Sequence, residues 1–328
     1  MRWPVVKRYL LLACAIACFT SGISGIGHAQ QYPVRPIRLI IPGGAGTSGD
    51  IGGRLVASEL AKQFGQQVVV DNRPGASAII ALDLLARAAP DGYTIGNTPF
   101  NLITNSFAYA KLPYDSTKDF QPIIWSSTTA NLLAVTPALP VHSVKDLIAH
   151  ARTNPDKLTF GGGGSGSSMH LSFELFKSMA GVRIHHVFYK DVMPAISELI
   201  GGQIHMVFAN VLPLLPHAKS GKVRALGVSS LERLPMLSHV PTIAESGLAG
   251  FETTPSGGYA VPARVPRDIV LRLNASINKA LHVPDVRSKI EAMGSIVAGG
   301  TPEQYAEHIR KEREKWGPIF KMAGITPQ

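Results

Sequence analysis

Residues 37–64 read I-R-L-I-I-P-G-G-A-G-T-S-G-D-I-G-G-R-L-V-A-S-E-L-A-K-Q-F and contain the clearest fold signal of the chain. The first five residues are an apolar, β-branched run, which predicts a buried strand over 37–41. After a glycine-rich turn, apolar residues recur at helical spacing and predict an amphipathic helix over 49–64. A second strand is predicted at 67–71, and this order of strand, helix and strand indicates the layers of an α/β fold.

The same alternation continues along the rest of the chain. Further strands are predicted at 93–96, 132–136, 158–160, 184–188, 204–208 and 223–228. Further helices are predicted at 78–88, 143–153, 168–180, 192–201, 266–281, 283–293 and 301–323. We therefore expect two sheets of the parallel type, each covered by helices.

Two segments, 123–136 and 251–262, lead from one group of strands and helices to another. They divide the chain into domain I, residues 30–129 plus 255–328, and domain II, residues 130–254. Two crossing strands make a hinge, and lobes joined by such a hinge close around ligands in the cleft between them. The predicted architecture is thus a two-lobed α/β fold with a ligand cleft between the lobes.

The first 29 residues have the pattern of a secretory signal peptide. Three basic residues precede an apolar run over 9–19, and Gly27 and Ala29 fit a cleavage site after Ala29. An uncleaved anchor is the first alternative, but the run is far shorter than the roughly 20 residues of a membrane span. Lipidation at Cys18 is the second. The signal predicts export to the periplasm and removes both cysteines, Cys14 and Cys18, from the mature chain.

The composition argues against several classes of protein. Only 16% of the 328 residues are charged and 45% are hydrophobic, so an ordered globular protein is expected rather than a disordered one. The net charge of +10 is spread along the chain without a basic run, which gives no support for nucleic-acid binding. A mature chain without cysteine has no disulfide, thiolate nucleophile or cysteine metal site.

The histidines suggest no metal site. His185 and His186 are neighbours on a predicted strand and therefore point to opposite faces of the sheet. The other histidines are widely scattered, so we interpret all of them as structural residues and expect neither a metal nor a cofactor.

The first glycine-rich junction has two functional interpretations. Gly44, Gly46 and Gly49 fit the G-x-G-x-x-G pattern between a strand and a helix, and Asp71 ends the next strand. This is the layout of a dinucleotide-binding site, which would make the protein an exported oxidoreductase. The free N–H groups of a helix start also bind a small anion such as a carboxylate. Export favours the carboxylate, because a soluble nicotinamide pool is not expected outside the cytoplasm.

A second glycine-rich junction, F-G-G-G-G-S-G-S-S-M-H-L, occupies residues 160–171. Three serine hydroxyls there could add donors to the backbone amides of a second helix start. A serine esterase with Ser165 as nucleophile is a further alternative, but the elbow pattern G-x-S-x-G requires glycine where Ser167 stands. His170 lies on the first helical turn, where a cap or a core partner is the expected role.

Taken together, motifs along the mature chain resemble the Bug family, the periplasmic solute receptors of tripartite tricarboxylate transporters. The resemblance rests on Y-P-V-R-P-I-R-L-I-I-P (32–42), D-x-x-x-R (50–54), V-V-V-D-N-R-P-G-A (68–76), A-P-D-G-Y-T (89–94), K-L-P-Y-D (111–115), K-D-F (118–120), G-S-G-S-S-M-H-L (164–171), G-G-Q-I (201–204), V-P-T-I-A-E-S-G-L-A-G-F-E (240–252) and G-T-P-E-Q (300–304). It implies the two-lobed α/β fold of periplasmic binding proteins, often called a Venus flytrap. It also implies a monomeric, non-enzymatic receptor for a small organic anion, with the membrane subunits of a transporter or a sensor protein as partner.

The resemblance also implies that one carboxylate is held by residues 45–50 and 165–168. Positions after strands add candidates, because ligands bind beyond the carboxyl ends of strands in doubly wound sheets. The predicted ligand-binding residues are Ala45, Gly46, Thr47, Asp50, Thr98, Ser165, Gly166, Ser167, Ser168, Asp191 and Asn210.

The chain departs from the family pattern at several of these places. The first loop has glycine at 43 and 44 where a bulky residue and a proline are usual, and Thr47 replaces a glycine. Residues 77–79 read S-A-I in place of the usual G-G-N. Asp191 replaces a glycine and Ala209 replaces an acid, so one negative charge is added to the expected site and another is removed.

Overall fold

A computed structural model describes residues 32–164, 166–189, 192–322 and 324–327. The predicted signal peptide with its cleavage site lies outside these residues, as do two predicted ligand-binding residues, Ser165 and Asp191. Tyr32 to Val34 contain no helix or strand. The compact unit described below spans Arg35–Gln328. No helix of the described residues is both long and apolar enough to cross a membrane.

The strands of this unit belong to two mixed sheets. They are β1 (Ile37–Ile41), β2 (Val68–Asn72), β3 (Thr94–Thr98), β4 (Phe120–Thr129), β5 (Asn131–Val135), β6 (Thr159–Gly162), β7 (His185–Phe188), β8 (Met206–Asn210), β9 (Arg224–Val228), β10 (Ser256–Pro262) and β11 (Ser295–Val297). The first sheet has the order β11-β4-β10-β3-β1-β2, and the second has the order β7-β6-β8-β5-β9. We call the first sheet and its helices lobe I, and the second sheet and its helices lobe II.

Helices cover the sheets of both lobes. Those of lobe I are α1 (Ser48–Phe64), α2 (Ile79–Ala86), α3 (Asn101–Ala108), α8 (Arg267–Leu281), α9 (Pro284–Ala292) and α10 (Pro302–Met322). Those of lobe II are α4 (Val144–Thr153), α5 (Ser168–Ala180), α6 (Val192–Ile200) and α7 (Val211–Lys219). The alternation of β-branched runs with helical periodicity thus gives the α/β fold that the sequence predicts.

The prediction of parallel-type sheets is only half right. Strands β1, β2 and β3 pair in parallel, as do β6, β7 and β8. The strands nearest the crossings pair antiparallel instead: β10 with β3 and β4, and β5 with β8 and β9. The physical reason is the connectivity, because the strand that leaves a lobe and the strand that returns to it run in opposite directions.

The two crossings lie side by side. The chain leaves lobe I where β4 ends, and β5 begins after the single residue Ala130. On the return path, the carbonyl of Pro255 accepts a hydrogen bond from the N–H of Thr129 at 2.9 Å. The two crossings, at Ala130 and Pro255, adjoin the boundaries between domains I and II that the sequence predicts at 129/130 and 254/255. The division into two independent domains stays a prediction.

Two helices were not predicted from the sequence. The first, α3, has only eight residues, too few for a clear period. The second, α7, contains Pro213 and Pro216, which argue against a helix. Pro213 is tolerated because it is the third helical residue, where an N–H has no acceptor inside the helix.

An apolar cluster joins the lobes beside the cleft. It comprises Phe100, Ile103 and Ala108 around α3, Trp316 and Phe320 of α10, and Leu171 of α5. The rings of Phe100 and Trp316 meet edge to face with centroids 5.2 Å apart. Because Leu171 is fully buried and belongs to lobe II, this cluster holds the start of α5 against lobe I.

Candidate functional site

The start of α1 offers two free backbone donors. Thr47 is the N-cap residue: its hydroxyl accepts from the N–H of Asp50 and donates to the carbonyl of Gly44 at 2.8 Å. The amides of Ser48 and Gly49, at the positive end of the helix dipole, have no hydrogen-bond partner among the described residues. Both residues line the cavity described below, so their N–H groups can meet a ligand.

Asp50 fixes the shape of this loop. Its buried carboxylate accepts hydrogen bonds from the N–H of Gly46 at 2.9 Å, from Arg54 at 3.0 Å and from Asn72 at 2.9 Å. Burial raises the pKa of Asp50, but these hydrogen bonds outweigh it, and the pKa lies below the usual 3.8. Protein donors therefore surround the carboxylate, which positions the loop.

The start of α5 faces the same cleft from lobe II. Ser167 is its N-cap residue and accepts from the N–H of His170 at 3.3 Å. Gly166 has a φ of 75°, a left-handed conformation that favours glycine. Its N–H donates to Nδ1 of His170 at 3.2 Å, and its carbonyl accepts from the hydroxyl of Thr104 in lobe I at 3.0 Å. The loop is thus held from both lobes.

A cavity of about 270 Å³ lies between these two helix starts. Its walls come from both lobes and from the two crossings. The lining residues are Ser48, Gly49, Gly52, Gly53, Asn97, Pro99, Phe100, Asn101, Ser126, Ser127, Thr129, Ser168, Asn210, Pro255, Ser256, Gly257, Tyr259, Leu281, Ile290, Met293 and Ser295. None of these described lining residues carries a charged side chain.

Serine and threonine hydroxyls form one wall of the cavity. Thr129 and Ser295 are hydrogen-bonded to each other at 2.8 Å. Ser256 is hydrogen-bonded to Nε2 of His308 at 2.8 Å. Burial is the main cause that lowers the pKa of His308 to about 4, and the positive charges of Lys315 and Lys311 add to this effect. This histidine is therefore uncharged at neutral pH, and the hydroxyl wall is polar but neutral.

A second wall of the cavity is apolar. It is formed by Leu281 of α8, Ile290 of α9 and Met293 of the turn that follows α9. A ligand that fills the cavity would bury apolar surface against these side chains while its polar atoms face the hydroxyls and the helix starts. The arrangement suits a small organic molecule with one negatively charged end and an apolar body.

Two of the predicted ligand-binding residues, Ser168 and Asn210, line the cavity. Ala45, Gly46, Thr47, Gly166 and Ser167 lie in the loops before the two helix starts without lining it. Thr98 is buried, and its hydroxyl is hydrogen-bonded to that of Tyr305 at 2.9 Å. Its neighbours Asn97 and Pro99 line the cavity instead, so Thr98 supports the wall from behind.

The hydroxyl wall and the start of α3 were not predicted from the sequence. The hydroxyls lie on β4, β10 and β11, whose pairing depends on the crossings between lobes. Asn101 stands at the start of α3, and its only sequence signal was the N-T-P-F-N segment, 97–101, which begins in the last two residues of β3.

The features of a dinucleotide site are not assembled here. The carboxylate of Asp71 accepts hydrogen bonds from Arg38 at 2.8 Å and from Arg73 at 2.9 Å. A ribose hydroxyl would have to compete with both guanidinium groups.

Comparisons with known proteins agree with this geometry. The sequence model of the tripartite tricarboxylate transporter family receptor, TctC, matches residues 53–325. The UPF0065 protein in the tcbD-tcbE intergenic region of Pseudomonas sp. (strain P51) is 39% identical over 315 residues, which cover 96% of this chain and 94% of that protein.

Two solved structures extend the comparison to the fold. R. palustris Rpa4515 with adipate has a TM-score of 0.85 and 38% identity, and the match covers 90% of this chain and all of that one. The periplasmic binding protein BugD has a TM-score of 0.82 and 29% identity, over 90% of this chain and 100% of that one. Both share the arrangement of two lobes around a cleft, as the resemblance to the Bug family implied.

Proposed function

Because the chain belongs to the family of tripartite tricarboxylate transporter receptors, we propose that it captures a small organic carboxylate in the cavity between its lobes and presents it to a transport system. The observation that carries the proposal is the pair of helix starts, at Ser48 and Ser168, that face one cavity from opposite lobes. Members of this family are solute-binding receptors, so the role is binding rather than catalysis.

Backbone groups would hold the carboxylate. The free N–H groups of Ser48 and Gly49 and the start of α5 carry the positive ends of two helix dipoles. Each helix end favours a nearby negative charge by about 0.3–1 kcal/mol, and by up to about 2 kcal/mol where it is partly buried. With neutral side chains in the described lining, these backbone donors are the main electrostatic attraction for an anion.

The second wall points to the body of the ligand. Leu281, Ile290 and Met293 would cover methylene or ring carbons, and each buried methylene contributes about 0.8 kcal/mol. The hydroxyl wall would accept a second polar group. An acid with a short apolar body fits both walls, and adipate, the ligand of the R. palustris protein, has this character.

Closure of the lobes would complete the site. The bond between Thr104 and Gly166 and the packing of Leu171 on lobe I form only when the lobes are close. A ligand that contacts both helix starts favours this arrangement, because it binds the closed state more tightly than an open one.

The proposed localisation and partners rest on the family and on the predicted signal peptide. Receptors of this family are periplasmic, and we propose that this chain is exported and cleaved near Ala29 to begin at Gln30. Its partners would be the membrane subunits of a tripartite transporter, with a sensor protein as the alternative.

The test is isothermal titration of the protein that begins at Gln30 against adipate, malate, citrate, benzoate and NAD. We expect saturable binding of at least one acid with an apolar body and no binding of NAD. Binding of NAD without binding of any acid would overturn the proposal in favour of the oxidoreductase. A parallel assay with a nitrophenyl ester tests the esterase, for which turnover lost in Ser165→Ala is the required result.

A further inference from the structure

Three potential metal ligands meet in lobe II, outside the cavity. His170 and Glu174 lie one turn apart on α5, where both side chains are buried. His186 lies on β7, and one ligand atom from each residue falls within 4.8 Å of the other two. Nε2 of His170 is 3.7 Å from Oε1 of Glu174. The sequence indicated widely scattered histidines without a metal site and did not predict this grouping.

His186 lacks the partners that a buried imidazole needs. Both of its ring nitrogens are buried, and neither has a hydrogen-bond partner among the described residues. Its ring is surrounded by those of Phe160, Phe173 and Phe188, with centroids at 4.9, 5.4 and 3.9 Å. An unsatisfied buried polar group costs about 1–3 kcal/mol, so at least one of these nitrogens is expected to have a ligand.

We propose that His170, Glu174 and His186 bind a divalent transition metal ion of the Zn²⁺ type. Two imidazole nitrogens and one carboxylate oxygen are a donor set that Zn²⁺ accepts, with a fourth position open to water. A single carboxylate is too few oxygen ligands for Ca²⁺ or Mg²⁺. None of the three residues lines the carboxylate cavity, so this site is separate from the proposed ligand site.

The side chains need modest rearrangement to reach a metal. Metal–ligand bonds of about 2.0–2.2 Å hold the ligand atoms closer together than their present separation of up to 4.8 Å. The ammonium group of Lys177 is 2.8 Å from Oε1 of Glu174 and would have to swing away. Its side chain is 27% exposed, which gives it a path to solvent.

His170 must also change its tautomer. Its Nδ1 accepts the N–H of Gly166, which places the imidazole proton on Nε2. Ligation through Nε2 moves this proton to Nδ1 and breaks the bond to Gly166. Metal binding is thus linked to the loop that precedes α5.

The experiment uses the protein that begins at Gln30, treated with a chelator and then dialysed. Zn²⁺ is titrated by calorimetry, and Co²⁺ is added in parallel because its visible absorption reports tetrahedral coordination. We expect one Zn²⁺ per chain and a cobalt spectrum that Zn²⁺ abolishes. Changes in outer-shell partners alone cost 10–100-fold in metal affinity, so His186→Ala and Glu174→Gln should each weaken Zn²⁺ binding at least tenfold.

The matched control is His185→Ala. His185 is exposed, is adjacent on the same strand and points to the opposite face, so its removal should leave the affinity for Zn²⁺ unchanged within a factor of two. Circular dichroism of each variant checks that it is folded, and Glu174→Gln preserves the side-chain volume if His186→Ala does not fold. Absence of Zn²⁺ binding, or equal binding by wild type, His186→Ala and Glu174→Gln, would overturn the proposal.

Discussion

The hydroxyl of Thr104 in lobe I donates a buried hydrogen bond to the carbonyl of Gly166 in lobe II, over 3.0 Å. It connects α3 directly to the loop that precedes α5. Because one partner stands on each lobe, the bond would stabilise the proposed closed arrangement and would be lost if the lobes separated. Ligand affinity should therefore depend on a residue that does not line the cavity.

Thr104→Val tests this dependence. Valine keeps the shape of threonine but removes the donor, and a hydrogen bond of this kind contributes about 0.5–1.5 kcal/mol. Loss of this free energy corresponds to a roughly two- to tenfold loss of affinity, which we expect for the acid that binds best in the titration panel. Ser106→Ala is the control, since this exposed hydroxyl on the same helix bonds to the carbonyl of Ile103. An equal loss in both variants would contradict a specific role for Thr104.

The two capping serines allow stability to be separated from binding. Ser167 caps α5 beside the cavity, and Ser143 caps α4, whose residues do not line it. Loss of either cap should lower the free energy of unfolding by about 1 kcal/mol. Only Ser167→Ala should also weaken carboxylate binding, because only its loop faces the ligand. Urea unfolding and titration of both variants check this, and equal affinities would show that the cap of α5 has no role in the site.

Asp50 should make stability depend on pH. Its pKa is lowered in the folded protein, so its carboxylate stabilises the fold above its unfolded pKa near 3.8, and this contribution is lost as the pH falls through the folded value. Asp50→Asn should therefore be less stable than wild type at pH 7, and the difference should shrink below pH 4.

The control for this experiment is Asp83→Asn, which removes a surface ion pair between Asp83 of α2 and Arg87, the residue that follows this helix. Surface pairs of this kind contribute about 0–1 kcal/mol. Chemical unfolding at several pH values gives the comparison. A constant difference between wild type and Asp50→Asn from pH 7 to pH 3 would show that the ionised carboxylate is not what fixes the loop.

Local sequence predicts the helix starts of the site well. The strand β1, the turn and α1 have a clear change of period, and the D-x-x-x-R spacing already places Asp50 and Arg54 on one face of the helix. Glycine and small hydroxyl residues at both junctions indicate helix caps and anion donors. These features depend on residues close in sequence, which is why the sequence contains them.

The rest of the site depends on contacts between distant segments. The hydroxyls of Thr129 and Ser295 meet only because β4 and β11 pair across the crossing region. His170 and His186 likewise come together only through the packing of distant segments, α5 and β7. Alternation along β7 indicates that His186 and His185 face opposite sides, but not that α5 covers the side of His186. Tertiary packing brings such residues together, and the periodicity of a single strand or helix does not predict that packing.

Gly49 gives the most direct test of where the ligand binds. It is the second residue of α1, it lines the cavity, and a Cβ built on it meets no atom within 4 Å. Gly49→Leu should therefore fill the cavity without disturbing the fold, and leucine is a better helix former than glycine by roughly 0.5–1 kcal/mol. We expect carboxylate affinity to fall at least tenfold while the free energy of unfolding stays equal or rises.

The matched control is Gly44→Leu, which also has open space around its Cβ but does not line the cavity. This variant should bind the acid like the wild type. Because both changes add the same side chain to the same loop and helix start, a difference between them locates the ligand at the helix end. Full affinity in Gly49→Leu would mean that the acid binds elsewhere, and the assignment of the free N–H groups of Ser48 and Gly49 as its donors would be wrong.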